Sequence, residues 1–356
     1  MTAGDRREPL IEQGKGPVSE QQAQYDEATL ADLQDMARTV LPNYGYSPSA
    51  RIRLLNISEN ATYLVEDGVA ERRLILRVHR VGYHSREGIE SELDWLRALR
   101  RDRIAEVIEP VADRSGATIQ TLVSRRGGPD RMAVAFGFFE GQQPSPNDDL
   151  LPWFEVLGEL TARLHLQAKT WRRPNGFVRQ VWDADAMHGQ RHLWGPWQDA
   201  LGLDRAGHAL LDRAVAKVRA RLDEFGPGPE RFGLIHADLR LANLLIDGDR
   251  LKVLDFDDCG FSWFMYDFAS AVSFYEHLPN VPALRDSWLT GYAKIAAVTD
   301  EDRAILPTVV MARRILLLAW VASHREVPTA QELGTTYTDQ SLDLAERYLG
   351  DRFLRE

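Results

Sequence analysis

The chain has 356 residues, 44% of them hydrophobic and 27% charged, a composition that suits a globular protein with room for two lobes. A net charge of −10 argues against a broad nucleic-acid surface, and a single cysteine, Cys259, excludes an internal disulfide framework or a cysteine-rich zinc site. No run reads as the roughly 18–20 apolar residues of a membrane span, and the first residues lack a secretory apolar segment, so a cytoplasmic protein without a membrane partner is expected.

Residues 1–24 are polar and poor in large apolar side chains, and are expected to form a mobile tail. Residues 29–41 carry a helical pattern. Short strands are expected at 51–55, 61–66 and 73–78, with a polar turn at 56–60 and a hairpin signal at Asp67–Gly68. Residues 87–100 read as a helix whose apolar stripe is Ile89, Leu93 and Leu96. Glu92 falls on the same stripe, and a carboxylate there needs a partner. Two more strands, at 119–123 and 133–138, complete a five-stranded lobe with one inserted helix. The segment Glu140–Gly141–Gln142–Gln143–Pro144 marks a connector. The boundary falls near Gln142, so residues 25–141 form a first lobe and 142–356 a second. The second lobe is mainly helical, with helices expected at 153–167, 204–225, 266–275, 284–297, 304–323 and 339–349.

The most informative stretch is Gly233 to Asp258, GLIHADLRLANLLIDGDRLKVLDFDD. Residues 244–246 and 251–254 can pair as a hairpin reversed at Asp247–Gly248–Asp249. Closing it brings Asn243, just before one strand, beside Asp255, just after the other. Their oxygens can then share a magnesium ion, a metal that takes few protein ligands and completes its shell on phosphates. His236 and Asp238 lie immediately upstream. The alternative is a polar, capped hairpin with coincidental spacing.

His236, Asp238 and Asn243 in IHADLRLANLLI, followed by Asp255 in VLDFDD, resemble the HxDxxxxN and DF signatures of protein-kinase-like enzymes. The chain resembles most the aminoglycoside phosphotransferase and choline kinase family, of the homoserine-kinase-like or stress-response-kinase-like bacterial type. The likeness runs in outline from about residue 50 to 325, and Asp267 in YDFA matches a further family segment. It implies an α+β, protein-kinase-like two-lobed fold and an ATP-dependent phosphotransferase acting on a small-molecule hydroxyl. Asp238 would orient that hydroxyl, His236 would brace the loop, and Asn243 and Asp255 would hold magnesium on ATP. Asp267 is expected to cap a helix or bind loop N–H groups. Asp257 and Asp258 are either solvated loop charges or groups that shape the metal site and face an amino-bearing substrate.

In the first lobe the resemblance puts a phosphate-contacting base at Arg77, in LILRVHR, where protein kinases usually carry lysine. Arginine keeps the charge but presents a planar fork. Glu92 is its expected partner. Ser58 and Asn60, in the polar turn, are candidate phosphate contacts, and the backbone around Phe139 and Glu140 is the candidate adenine contact. The absence of GxxxxGK[ST] argues against a P-loop kinase.

Trp194 and Trp197, in LWGPW, form either an aromatic wall for a cationic amine or packing between helices. His188 and His192 find no convincing third zinc ligand. His165 lies on an apolar-patterned helix and is expected to be structural, and Cys259 is expected to be inert. Two other readings remain open. A protein Ser/Thr kinase shares the chemistry, but the path from Asp255 to Asp267 is short for an activation segment. A catalytically weak nucleotide-binding scaffold is kept open by Arg77 and the atypical turn. The pattern sets neither the acceptor nor an oligomeric state.

Overall fold

The computed structural model describes residues 10–11, 27–68 and 71–355. The expected mobile tail lies outside the described residues, apart from a two-residue strand β1, Leu10–Ile11. Helix α1 (Glu27–Val40) lays Leu33, Met36, Ala37 and Val40 against the first sheet.

That sheet is antiparallel and begins with β2 (Arg51–Ile57), β3 (Ala61–Asp67) and β4 (Arg72–Val78). Helix α2 (Arg86–Arg101) and the short strands β5 (Glu106–Val107) and β6 (Pro110–Val111) follow, then β7 (Ile119–Leu122) and β8 (Arg131–Gly137). The order is β2-β3-β4-β8-β6, with β7 also paired to β8. The sheet thus has six strands, not five. The extra one is β6, two residues at an edge where its proline need not donate. Alternation buries Tyr63, Val65, Leu74, Leu76 and Val78. Ser85 caps α2 by accepting from Gly88 N at 3.1 Å, and the helix turns Ile89, Leu93, Leu96 and Glu92 inward.

The second lobe starts with α3 (Leu151–Thr170) and continues through β9 (Val178–Val181), α4 (Ala184–His188) and α5 (Arg205–Phe225). Strand β10 (Phe232–Ile235) leads to the hairpin of β11 (Leu244–Asp247) and β12 (Arg250–Val253). The hairpin register, Leu244↔Val253 to Asp247↔Arg250, leaves a two-residue loop with Gly248 at φ +64°. Strand β13 (Gly260–Trp263) pairs antiparallel with β10 and parallel with β9. Helices α6 (Tyr266–Ala271), α7 (Val281–Ala293), α8 (Asp300–Ser323) and α9 (Pro328–Leu349) complete the lobe. Helices α3 and α7 pack almost backbone to backbone. A Cβ on Gly158 would lie 1.9 Å from Trp288 O, and one on Gly291 1.8 Å from Glu155 O.

Three expectations change. Helix α6 stops at Ala271 rather than 275, and Phe274 then turns to φ +77°. Helix α9 begins at Pro328, well before residue 339, and is broken at Gly334 (φ 50°, ψ −144°). Helix α8 is long and apolar enough to cross a membrane, contrary to the sequence reading, but 89% of that apolar window is buried inside the protein. It is the central helix of the second lobe, held by a capping box between Thr299 and Asp302.

Candidate active site

The hairpin closes as its sequence requires. Leu254 N donates to Asn243 O at 2.8 Å, extending the ladder by one pair and setting Asn243 beside Asp255. Two residues here take a left-handed backbone without being glycine, Ala237 at φ +65° and Asp255 at φ +48°. Such conformations persist only where neighbours hold them. Asp267 is the holder for the first. Its buried carboxylate accepts from Ala237 N at 2.7 Å and His236 N at 3.2 Å, and meets His165 Nε2 at 3.0 Å. His165 Nδ1 in turn meets the Tyr292 hydroxyl at 2.9 Å. Asp267 therefore binds loop N–H groups, while α6 has no side-chain cap.

His236 is fully buried and stays neutral, because burial lowers its pKa. Asp238 N donates to its Nδ1 at 3.2 Å, and its Nε2 lies 2.9 Å from Leu254 O, so Nε2 carries the proton. Both ring nitrogens are thus spent on the backbone of the loop and the hairpin.

Both oxygens of Asp238 are engaged. Oδ1 accepts from Arg313 Nη2 at 2.6 Å, and Oδ2 accepts from Asn243 Nδ2 at 2.7 Å and Arg240 Nε at 3.1 Å. Burial alone would raise this carboxyl, but Arg240 and Arg313 prevail and hold it below its usual range. Asn243 spends its amide N–H groups on Asp238 O and Oδ2.

Arg77 and Glu92 form the expected pair, with Arg77 Nη2 2.7 and 2.6 Å from the two carboxylate oxygens and both side chains buried. Arg77 Nη1 also donates to Asp255 Oδ1 at 3.0 Å, so this cation ties α2 to the hairpin across the cleft. Burial between the lobes, with Asp257, Glu92 and Asp238 nearby, pushes the Asp255 carboxyl up to about 6 despite Arg77. Its side chain is 44% exposed to the cleft, and that water tempers the shift.

A second cross-lobe network surrounds Asp257. Asn60 Nδ2 donates to Asp257 Oδ2 at 2.7 Å, and His84 Nε2 and His79 Nδ1 lie 3.4 and 3.7 Å from the carboxylate. Burial opposes ionisation, but His84 and Arg77 keep this carboxyl well below the ordinary range. Asn60 is thus committed to Asp257 and Arg80 N rather than turned toward a phosphate. Ser58 N donates to Asn60 O at 3.2 Å, inside the same turn.

Asp258 faces a different wall. Its Oδ1 accepts from the Tyr83 hydroxyl at 2.7 Å, and the Tyr83 hydroxyl oxygen in turn accepts from Trp194 Nε1 at 3.2 Å. Arg313 lies over the Trp194 ring at 5.3 Å. No Lys or Arg among the described residues pairs with Asp258, and burial, with Asp238 and Glu59 nearby, pushes its carboxyl well above the ordinary range. Trp197 is not part of this wall. It is buried in the core against His208 of α5. His188 is also structural, with Nε2 2.9 Å from Ala312 O, and burial pushes the Cys259 thiol up to about 12.

At the connector, Lys252 Nζ donates to Glu140 O at 2.9 Å and lies 5.2 Å over the Phe139 ring. The Glu140 side chain turns outward to Arg73. A separate surface cavity of about 300 Å³, lined by Arg101, Asp102, Gln167, Thr170, Trp171 and Arg172, lies apart from all these groups. Its buried amide, Gln167, is already satisfied by Trp95 and Asp102.

Sequence reasoning missed Arg313, Arg240 and Arg179. Arg240 sat inside the quoted motif, two residues from Asp238, and was open to notice. Arg179 reaches the carbonyls of Gly88, Asp257 and Cys259, and Arg313 comes from α8, so neither has a local signature.

Residues 52–305 match the model of the phosphotransferase enzyme family, APH. The chain belongs to this family. It is 45% identical to a microcompartment-associated aminopropanol kinase of known structure, covering 90% of this chain and 99% of that one with a TM-score of 0.83. It is 26% identical over 259 residues to amicoumacin kinase of Bacillus subtilis strain 168, covering 72% of this chain and 70% of that protein. It is also 26% identical over 318 residues to homoserine kinase of Methylobacillus glycogenes, covering 87% and 85% respectively. The fold and these relatives define an ATP-dependent phosphotransferase that acts on a small-molecule hydroxyl.

Proposed function

We propose that the acceptor is a small amino alcohol and that the reaction is centred on Asp238. The observation that carries this reading is Asp258, a carboxylate with no Lys or Arg partner among the described residues, set beside Tyr83 and Trp194 and within the field of Asp238. A protonated amine would supply the missing cation, with the aromatic faces adding attraction. Similarity to a protein described as an aminopropanol kinase supports the same choice.

Residues 25–141 would form the nucleotide-binding lobe and 142–356 the catalytic lobe, acting in the cytoplasm. The donor set suits magnesium. Asp255 is crowded by carboxylates and calls for positive charge, and the oxygen of Asn243 accepts no hydrogen bond among the described residues. Among the described residues no group of three or more acidic, His or Cys side chains is placed to hold a metal, so phosphate oxygens would have to complete the shell around Asn243 and Asp255. Bound magnesium would screen the phosphate charge.

Arg77 would neutralise phosphate oxygens, with Glu92 fixing its plane. Asp238 would accept a hydrogen bond from the acceptor hydroxyl and align it. As the new O–P bond forms, the bridging P–O bond to ADP breaks and the hydroxyl proton passes to Asp238 or to water. With its carboxyl held below the usual range, Asp238 is a better aligner than base. The second network leaves Asn60 and Asp257 as a cross-lobe brace, and Trp197 in the core.

The test offers the protein ATP and magnesium with 1-amino-2-propanol, ethanolamine, homoserine and 1,2-propanediol, and weighs products by mass. Phosphorylated amino alcohol that disappears in Asp238→Asn, with the diol a poor substrate, is the expected result. A diol phosphorylated as well as its amine counterpart would overturn the amine assignment.

A further inference from the structure

The turn between β2 and β3 spans the two lobes. Glu59, at its centre, reaches across the cleft to α8. Trp320 Nε1 donates to Glu59 Oε1 at 2.6 Å, and His324 Nε2 lies 3.3 Å from the same oxygen. The Trp320 and His324 rings are stacked, with centroids 5.0 Å apart and planes within 17°. Only 13% of the Glu59 side chain is exposed, and its charge is felt by Asp258, Tyr83 and Arg240. One residue on, Asn60 is anchored to Asp257. A single short turn therefore touches the second lobe at two places, one at Asp257 beside the hairpin and one at Trp320, two turns along α8 from the Arg313 that lies over the Trp194 ring of the acceptor wall.

We propose that Glu59 is an acceptor-specificity residue supplied by the nucleotide lobe, which makes amine recognition depend on closure of this turn. The inference rests on the amino-alcohol reading above. With the turn down, Glu59 and Asp258 present two carboxylates to one ammonium. With the turn up, only Asp258 remains. Nucleotide that holds the turn down prepares the amine site, and by reciprocity the bound amine favours nucleotide.

Wild-type preference for 1-amino-2-propanol over 1,2-propanediol is measured first, and this alone judges the underlying reading. Glu59→Gln then removes the charge while keeping the shape. Its amino-alcohol KM is expected to rise about tenfold and its diol KM to stay within about twofold, because only the amine carries a positive charge for the lost carboxylate to attract. The amino-alcohol Kd is also measured with and without AMP-PNP. Nucleotide is expected to tighten amino-alcohol binding in the wild type, and this effect is expected to shrink to about onefold in Glu59→Gln, where the two sites no longer share a contact. Trp320→Phe, which removes only the indole donor, is expected to weaken that coupling while retaining the amine preference. An amine-selective wild type whose Glu59→Gln variant keeps both its amino-alcohol KM and its nucleotide effect would overturn the inference. A variant that loses amine and diol turnover equally would show a structural role instead.

Discussion

Arg313 Nη2 lies 2.6 Å from Asp238 Oδ1, a contact between α8 and the catalytic loop that is almost fully shielded from solvent. The same guanidinium reaches Ala237 O at 3.2 Å and the Tyr266 hydroxyl at 3.4 Å. It therefore sets both the aim of Asp238 and its charge. Arg313→Met should lower kcat by about a hundredfold through misalignment. Losing a positive neighbour raises the Asp238 pKa, so the acidic limb of the kcat/KM profile should move to higher pH. Unfolding should be easier by about 3–5 kcal/mol, the cost of stranding one member of a buried pair. A pH–rate profile with the limb unmoved would remove Arg313 from the site.

Arg77 satisfies Glu92 with one nitrogen and Asp255 with another, which a lysine ammonium cannot do in the same plane. Arg77→Lys should raise the ATP KM about tenfold, the size of one charge-assisted hydrogen bond. The acceptor KM should change little. Steady-state kinetics with each substrate varied in turn will separate the two effects.

The Asp255 carboxyl, pushed up to about 6, makes magnesium–nucleotide binding pH-dependent. Because its folded pKa lies above the ordinary value, the empty protein holds the proton more tightly than the unfolded chain does. This group's contribution to stability is greatest below the ordinary carboxylate pKa and falls as pH rises toward about 6. The metal must displace that proton. Mg·ADP affinity measured by calorimetry should therefore weaken as pH drops below about 6, with proton release detectable in buffers of different ionisation enthalpy. Asp255→Asn should bind weakly at every pH, with no such release.

Asp267 and Ala237 form a fourth test. Asp267→Ala removes acceptors from two buried loop N–H groups and should destabilise the fold by about 3 kcal/mol or more, read by urea unfolding. Ala237→Gly acts in the opposite sense. Glycine tolerates φ +65°, so the substitution should relieve about 1 kcal/mol of strain while loosening the loop. Higher stability with lower kcat is the expected pair of results.

The hairpin and the grouping of His236, Asp238, Asn243 and Asp255 around it were legible because both depend on local spacing. Asn243 and Asp255 meet through a two-residue turn, and Arg77 and Glu92 meet because a strand is followed at once by a helix with a carboxylate on its apolar stripe. Asn60 reads as a candidate phosphate contact from its turn alone, whereas the partner it meets in the fold, Asp257, lies 197 residues along the chain and leaves no local signal. Arg313 and Trp320 were hidden for a similar reason. Both sit in a helix whose composition reads as plain core, so nothing local distinguishes an arginine aimed at Asp238 from one paired elsewhere, as Arg314 is with Glu276. Trp194 and Trp197 are three positions apart, and only folding places one at the wall and the other in the core.

The connector carries a mechanical consequence. Gln142 and Ile246 exchange reciprocal backbone hydrogen bonds at 2.8 Å, and Lys252 grips Glu140 O from the neighbouring strand. Gly141, at φ +142°, has no room for a Cβ, which would meet Leu245 Cβ at 2.9 Å. The connector is thus riveted to the hairpin that carries Asn243 and Asp255. Residues 140–142 therefore belong mechanically to the hairpin, and any swing of the small sheet would have to pivot ahead of them, much as a door turns on a hinge set outside its frame.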